Sequence, residues 1–538
     1  MIKKGMLSFL IAILTITIGS AQNCLPSGIT ITSQSQIDNF SINYPGCTNI
    51  GGNVSIENVS NLSGLSQIKS ISGNLTLKLL IKDLNGLHNL VSIGGDLTIS
   101  GNFLINNFTG LSSLSTIGGN FVIENNNILQ NVDGLEKLTS IGGNLLINSN
   151  YELANINGIK NLKDIGKDLV IYANNKLETI SGLISVTNIN NDLVIHGNPL
   201  LLSLDGLNNL KSVTRDLKIK TNDKLNNLQG LNGLLSTGRF FEIETNKNLS
   251  NLIGLEKLNN VYRLFISSNE SLADLKGLEN LKIVKENLHL FANYNLLSLN
   301  GLENVSSVDG MLQIQSCNSL KNLTGLGSLT KVGNAFEIYN NIGMISLDGV
   351  KNLNSVGNTL YISGCRSIQN LTGLESIKNL NNTSLTVSYC DNLKSLKGIE
   401  NVDPKTISYI TIELNPLLTI CAIENICNYL RDVETSAAIR SNNSDCNNRD
   451  EVVSKCGVLS IEENHISSLI SFYPNPTSGK ININVQSECK MYIYNTVGEQ
   501  IKELKIKTGL NEVNVDFLPS GVYFFKPEKE NAFKIIKN

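Results

Sequence analysis

Asp168-Leu169-Val170-Ile171-Tyr172-Ala173-Asn174-Asn175-Lys176-Leu177-Glu178-Thr179-Ile180-Ser181-Gly182-Leu183 is the stretch that decides how the middle of the chain is read. Apolar side chains at Leu169 and Ile171 alternate with outward positions, the period-two mark of a strand with one buried face. Polar residues at 174–176 mark a corner, and a second short segment with Leu177 and Ile180 runs into a Gly-Leu pair. The unit recurs in both directions. Its glycine stands at Gly64, Gly86, Gly110, Gly134, Gly158, Gly182, Gly206, Gly230, Gly254, Gly277, Gly301, Gly325, Gly349, Gly373 and Gly398, always followed by Leu, Ile or Val. Of the 14 gaps, 11 are 24 residues and the others are 22, 23 and 25. One unit cannot bury its apolar face alone. Stacked units can, with each Leu above its counterpart at a strand spacing of about 4.8 Å.

No segment carries a helical stripe, so a mainly β solenoid of about 15 turns follows, of order 70 Å long. Leu97, Phe121, Leu145, Leu169, Leu193 and Leu217 form one apolar column, and Ile99, Ile123, Ile147, Ile171, Ile195 and Ile219 form a second. The next regular column is polar: Asn102, Asn126, Asn150, Asn174, Asn198, Asn222, Asn246, Asn269, Asn293, Cys317, Asn341, Cys365, Cys390 and Asn415. Inward Asn side chains can satisfy corner amides and carbonyls that would otherwise be buried unpaired. They can also bond one another along the axis. Cys fits the same column because a thiol is small and still a weak donor.

This column, with its exchange of Asn and Cys, resembles that of leucine-rich repeats. The pattern Leu-x-x-Ile-Gly-Gly-x-Leu-x-Ile at 90–99 and 138–147, and at 114–123 with Phe121 for the second Leu, is more similar still to the receptor L-domain family. That resemblance spans about 49–420 and implies a right-handed β-solenoid. The Gly-Gly corner gives way later, at Thr214-Arg215 and Tyr262-Arg263, where the corner has to be rebuilt.

Both ends of the chain look like addresses. Residues 1–21, with Lys3 and Lys4 before an apolar run and Gly19-Ser20-Ala21 after it, are expected to be a cleaved signal peptide. From about residue 460 the texture changes. Tyr473-Pro474-Asn475-Pro476-Thr477-Ser478-Gly479, the alternating 480–485, Met491-Tyr492-Ile493-Tyr494 and Leu518-Pro519-Ser520-Gly521 read as a small antiparallel sandwich. This tail resembles the C-terminal sorting domain of the type IX secretion system of Bacteroidota. The resemblance implies passage across the outer membrane, the secretion machinery as a partner, and a final place outside the cell or on its surface.

An exported protein meets an oxidising environment, which gives the cysteines a meaning. Cys24 and Cys47 flank the first turn, in an N-terminal cap at 22–48. Cys421, Cys427, Cys446 and Cys456 lie in a C-terminal cap and linker at 421–459. Spacing leaves three pairings open for the latter four. Analogy with leucine-rich-repeat caps implies Cys421–Cys446 and Cys427–Cys456. A four-Cys zinc site is the rival reading, opposed by the absence of a close Cys-x-x-Cys pair.

Composition narrows the function. Charged residues are 17%, net charge is -3 and there are four His and no Trp, which argues against nucleic-acid partners and leaves little for His-based catalysis or a zinc centre. No catalytic set, cofactor motif or membrane span of the mature chain is evident. The varied outward positions form the expected binding face: Tyr172, His196, Phe265, His289, Phe291, Tyr339 and Tyr361, with Lys220, Glu244 and Gln315 between them. Exposed aromatics suit an extracellular protein or glycan ligand. Asp168, Asp192 and Asp216 stack on consecutive turns and are a weak Ca²⁺ candidate against a plain role as turn residues. The expected function is a non-enzymatic binding or adhesion protein; a passive surface spacer and a β-helical polysaccharide-degrading enzyme are the alternatives.

Overall fold

A computed structural model describes residues 23–459, 470–528 and 532–538; the expected signal peptide lies outside them. The chain divides into two units, 1–455 and 456–538. In the first, parallel strands pair each with the next from Ile29–Ile31 to Ser436–Arg440, making one sheet of 18 strands. Register places like on like: Leu169 pairs with Leu193 and Leu193 with Leu217, while Ile171, Ile195 and Ile219 pair two residues on. All six side chains are fully buried. The solenoid is longer than the 15 glycines suggest, because they separate 16 strands and each cap adds one more.

Two-residue strands line a second side, six from Asn49–Ile50 to Asp164–Ile165 and eight from Asn188–Ile189 to Ser355–Val356. A third side carries the Leu-x-x-Leu turns and the Gly-aliphatic pairs. Each turn sends about seven apolar side chains inward, as Leu169, Ile171, Leu177, Ile180, Leu183, Val186 and Ile189 do, all fully buried. Burial of this kind is worth roughly 1.5–3 kcal/mol per side chain, and it is continuous only because the turns stack.

The corner after each long strand uses a left-handed residue followed by the ladder position. φ is +54° at Ala173, +55° at Thr221, +55° at Thr245 and +69° at Gly197. The Asn that follows then points inward. Asn174 Nδ2 donates to the carbonyls of Ile147 (3.0 Å) and Tyr172 (3.1 Å), and its backbone N–H donates to Asn198 Oδ1 at 3.1 Å. The same bonds repeat turn by turn, and the ladder runs one step past Asn415 to Asn442, whose Oδ1 accepts from the Asn415 N–H at 3.1 Å. At the other end, where the preceding turn has Leu79 and Leu80, Asn102 Oδ1 is buried without a partner. At Cys317, Cys365 and Cys390 sulfur replaces the carboxamide oxygen. Amides of Asn293, Asn341 and Cys365 turn to these sulfurs, and burial pushes the Cys317 and Cys390 thiols up to about 12 and Cys365 higher still. All three are reduced and buried.

A β-branched residue in the left-handed region is a costly corner. Thr245→Gly should therefore raise stability, by about 1 kcal/mol after the entropy that Gly adds to the unfolded chain. A thermal melt reads it; an unchanged or lower midpoint would show that the Thr corner carries no strain.

Among the described residues of the first unit, α-helices are confined to the ends of the solenoid, while three-residue 3-10 turns such as Thr109–Leu111 lie within it. Gln34–Asp38 and Phe40–Asn43 cover the first turn, burying Ile37 and Phe40, and Glu424–Arg431 buries Ile426, Tyr429 and Leu430 after the last. Cys24–Cys47 and Cys421–Cys446 are disulfides, with Cα atoms 5.6 and 5.9 Å apart, and Cys427 and Cys456 are disulfide-bonded as well. These ends stop solvent and other chains from reaching an open sheet edge and core.

Candidate functional site

On the broad sheet, outward residues form two columns parallel to the solenoid axis. Phe265, His289, Gln313, Glu337 and Tyr361 are successive register partners, as are Ser267, Phe291, Gln315 and Tyr339. Side chains in them touch along the axis. The Phe265 and His289 rings stack at 4.5 Å, His289 Nδ1 meets Gln313 Oε1 at 3.1 Å, and Gln313 Nε2 donates to Glu337 Oε2 at 2.7 Å. Tyr339 Oη donates to Gln315 Oε1 at 2.5 Å and its ring meets Tyr361 edge-on at 5.7 Å. Phe291 is the open member at 38% exposure. The result is a flat strip of rings, amides and a carboxylate whose side chains hold one another in place.

Tyr172 and His196, whose rings meet at 5.0 Å, form a separate pair on the same sheet. Charged turns divide them from the strip. Lys220 bridges Glu242 (3.1 Å) and Glu244; burial works against its charge, but the two carboxylates hold its pKa above the usual lysine value. Gln313 and Glu337 are the members that sequence reasoning missed. Both are polar and alternate like any solvated strand residue, so only register places them in line between His289 and Tyr361.

His289 is kept below the usual histidine pKa, chiefly by burial, against the pull of Gln313 and Glu337. The unfolded chain therefore binds more protons than the folded one just below pH 6.5, and stability falls as pH drops through that range. His289→Gln should flatten this part of the stability profile as pH falls below about 6.5. Chemical denaturation across that range checks it, and parallel profiles for the two proteins would refute the assignment.

At the opposite end of the strands the Asp column is a second ladder. Asn120 Oδ1 accepts the Asn144 N–H (2.9 Å), Asn144 Oδ1 that of Asp168 (2.9 Å), Asp168 Oδ1 that of Asp192 (3.1 Å) and Asp192 Oδ1 that of Asp216 (3.1 Å). Asp216 ends this run in a bidentate pair with Arg239, at 3.0 and 3.1 Å, with Lys218 Nζ 3.4 Å away. Burial raises its pKa, but the two cations outweigh burial and hold the carboxyl below the usual range. Among the described residues no group of His, Cys, Asp or Glu is arranged to hold a metal ion. The corner without Gly-Gly keeps its backbone bonds: Arg239 N–H donates to Arg215 O at 2.8 Å and Arg263 N–H to Arg239 O at 3.1 Å. Side chains there leave outward, and the Arg263 guanidinium lies over the Phe240 ring at 4.7 Å while pairing with Glu286.

The second unit has two antiparallel sheets. Ile470–Tyr473, Lys480–Val485 and Gly509–Asn514 form one; Gln500–Ile506, Cys489–Tyr494, Gly521–Pro527 and Phe533–Lys537 form the other. Ile481, Ile483, Met491, Ile493, Phe525 and Ile535 are fully buried between them. The Pro-Asn-Pro-Thr-Ser-Gly segment clamps the last strand. Asn475 Nδ2 donates to Lys534 O and Asn475 Oδ1 accepts the Ile536 N–H, both at 2.8 Å, and Thr477 N–H donates to Ile536 O at 2.8 Å. Residues 471–538 match the secretion system C-terminal sorting domain family. The tail is a type IX sorting domain.

The sorting domain marks the protein for export across the outer membrane, to the cell surface or the extracellular space. Its family implies a Bacteroidota source and engagement with the type IX secretion machinery. Disulfides at both ends of the solenoid agree with that destination. No helix among the described residues is long and apolar enough to cross a membrane. No curated protein matches the chain. Among solved structures, a plant peptide hormone receptor, RGFR1 in complex with RGF2, is similar at 14% identity over 77% of this chain and 89% of that one, with a TM-score of 0.15.

Proposed function

We propose that the exported solenoid is a non-enzymatic binding or adhesion protein, and that the strip from Phe265 to Tyr361 is its ligand-facing surface. The observation that carries this reading is the mutual fixing of Phe265, His289, Gln313, Glu337, Gln315, Tyr339 and Tyr361 along one sheet face. Side chains already held in place lose little entropy on binding, and aromatics give the most contact area for that cost. The ladders leave no long loop in the repeat to build a cleft around a paired acid and base. Glu337, the carboxylate of the strip, is committed to Gln313.

The test is a binding survey of the full chain against extracellular-matrix proteins and a glycan array. Wild type should bind at least one member, and Phe291→Ala/Tyr339→Ala should weaken that binding roughly tenfold or more. Equal binding by the double variant would remove this face as the site. Turnover of a polysaccharide by the wild type would overturn the non-enzymatic reading.

A further inference from the structure

A groove of about 320 Å³ runs along the left-handed corner beside the broad sheet. It crosses the turns whose ladder positions are Asn293, Cys317, Asn341, Cys365 and Cys390, so all three ladder thiols lie along it. Tyr294 and Tyr389 stand at its two ends, 50% and 54% exposed. They are four turns apart, roughly 19 Å along the axis. Between them the floor is low, since Gly364 takes the corner with φ +63°. Asn318, Asn340, Arg366 and Asp391 supply the polar lining.

We propose that this groove binds an uncharged oligosaccharide laid along the solenoid axis. The proposal rests on the reading of the solenoid as a binding protein and names a ligand class and a second site for it. Three features select the ligand. Exposed tyrosine rings offer flat faces to the C–H faces of sugar rings. A sugar hydroxyl both donates and accepts, and the lining supplies both: carboxamides at Asn318 and Asn340, a guanidinium at Arg366 and a carboxylate at Asp391. Arg366 Nε lies 3.6 Å from Asp391 Oδ2, so the two charges cancel locally and give no field for an anionic polymer.

The polar heads are also available. Among the described residues, no hydrogen bond engages the Tyr294 or Tyr389 hydroxyl or the Asn318 or Asn340 carboxamide. On the neighbouring sheet face, by contrast, Gln313, Gln315 and Tyr339 are bonded to one another or to Glu337 and His289. A protein partner needs a desolvated pocket for an aromatic or Arg anchor. This groove has a polar lining between two exposed tyrosines, which suits a chain of sugar rings better.

Isothermal titration calorimetry of the full chain tests the assignment, with cellohexaose, xylohexaose, laminarihexaose and chitohexaose as neutral probes and hexagalacturonate as the charged one. At least one neutral hexaose should bind. Tyr294→Ala and Tyr389→Ala should each weaken it roughly tenfold, with the melting midpoint unchanged because both side chains are at least half exposed. Tyr151→Ala, at the Tyr294 position of a distant turn and similarly exposed, should leave that affinity in place. Absence of binding by every neutral hexaose overturns the proposal, as does tighter binding of hexagalacturonate. If the groove variants bind as wild type and the Phe291/Tyr339 double variant does not, the groove assignment fails while the sheet-face reading stands.

Discussion

Gly254→Ala is expected to destabilise the solenoid by about 4 kcal/mol. Gly254 has φ +116°, and a Cβ there would overlap the Leu228 carbonyl of the preceding turn. Two costs combine: a backbone conformation that L-residues avoid, and a clash with backbone that cannot rotate away. The same arrangement recurs at Gly230 against Leu204 and at Gly277 against Leu252, which explains why the repeat never replaces this residue. Gly327 is the control. An added Cβ there meets nothing within 4 Å, so Gly327→Ala should stay within about 0.5 kcal/mol of wild type. Each turn contacts only its neighbours, so the damage should be local. Hydrogen exchange should accelerate first in Leu217–Lys220, Phe240–Glu244 and Arg263–Ser267. Protection in those strands equal to wild type would show that the turns can separate to admit the methyl group.

Asn198→Ala should cost about 3 kcal/mol. The carboxamide serves several buried groups at once. Its Oδ1 accepts from the Asn174 N–H (3.1 Å) and Nδ2 (3.3 Å), and its Nδ2 donates to Ile171 O (3.1 Å), His196 O (3.1 Å) and Asn222 Oδ1 (3.3 Å). Removing it strands a buried amide and at least one buried carbonyl, each worth roughly 1–3 kcal/mol. Asn198→Cys should cost about half as much, since a thiol still receives the amide and donates weakly, as Cys317 does toward Leu290 O at 3.8 Å. Denaturant melts of both variants give the comparison. Alanine tolerated within 0.5 kcal/mol would mean that water or backbone relaxation satisfies the corner, and that the ladder is a by-product of stacking.

Much of the candidate site was legible in the chain. Phe265, His289, Phe291, Tyr339 and Tyr361 announce themselves as large side chains at positions that alternate away from the buried Leu and Ile. Their interactions did not. Whether His289 meets Gln313 or solvent depends on the register and on rotamers, and neither follows from spacing. The three stacked Asp residues show the opposite case. Like residues at one-turn spacing fit a cation site and a corner ladder equally well on paper, and only the direction of the carboxylates, toward the next turn's N–H, separates the two. The corner groove left no mark in the sequence, because Tyr294 and Tyr389 are far apart along the chain and share a surface only after four turns have stacked.

By itself the sequence determined the architecture. A repeat that returns Gly, Leu, Ile and Asn at one interval admits a single kind of burial, like above like, and that alone specifies parallel strands, an apolar interior and a polar ladder; the Pro-Asn-Pro and alternating motifs of the tail did the same for export. Tertiary structure alone decided which polar groups are used up and which are free. Asp168 and Asp192 are spent on backbone amides, Glu337 on Gln313, while Asn318 and the groove tyrosines stay open. The reason is geometric. Periodicity sets where a Cα lies to within a turn, whereas a hydrogen bond is won or lost over a few tenths of an ångström and a rotamer.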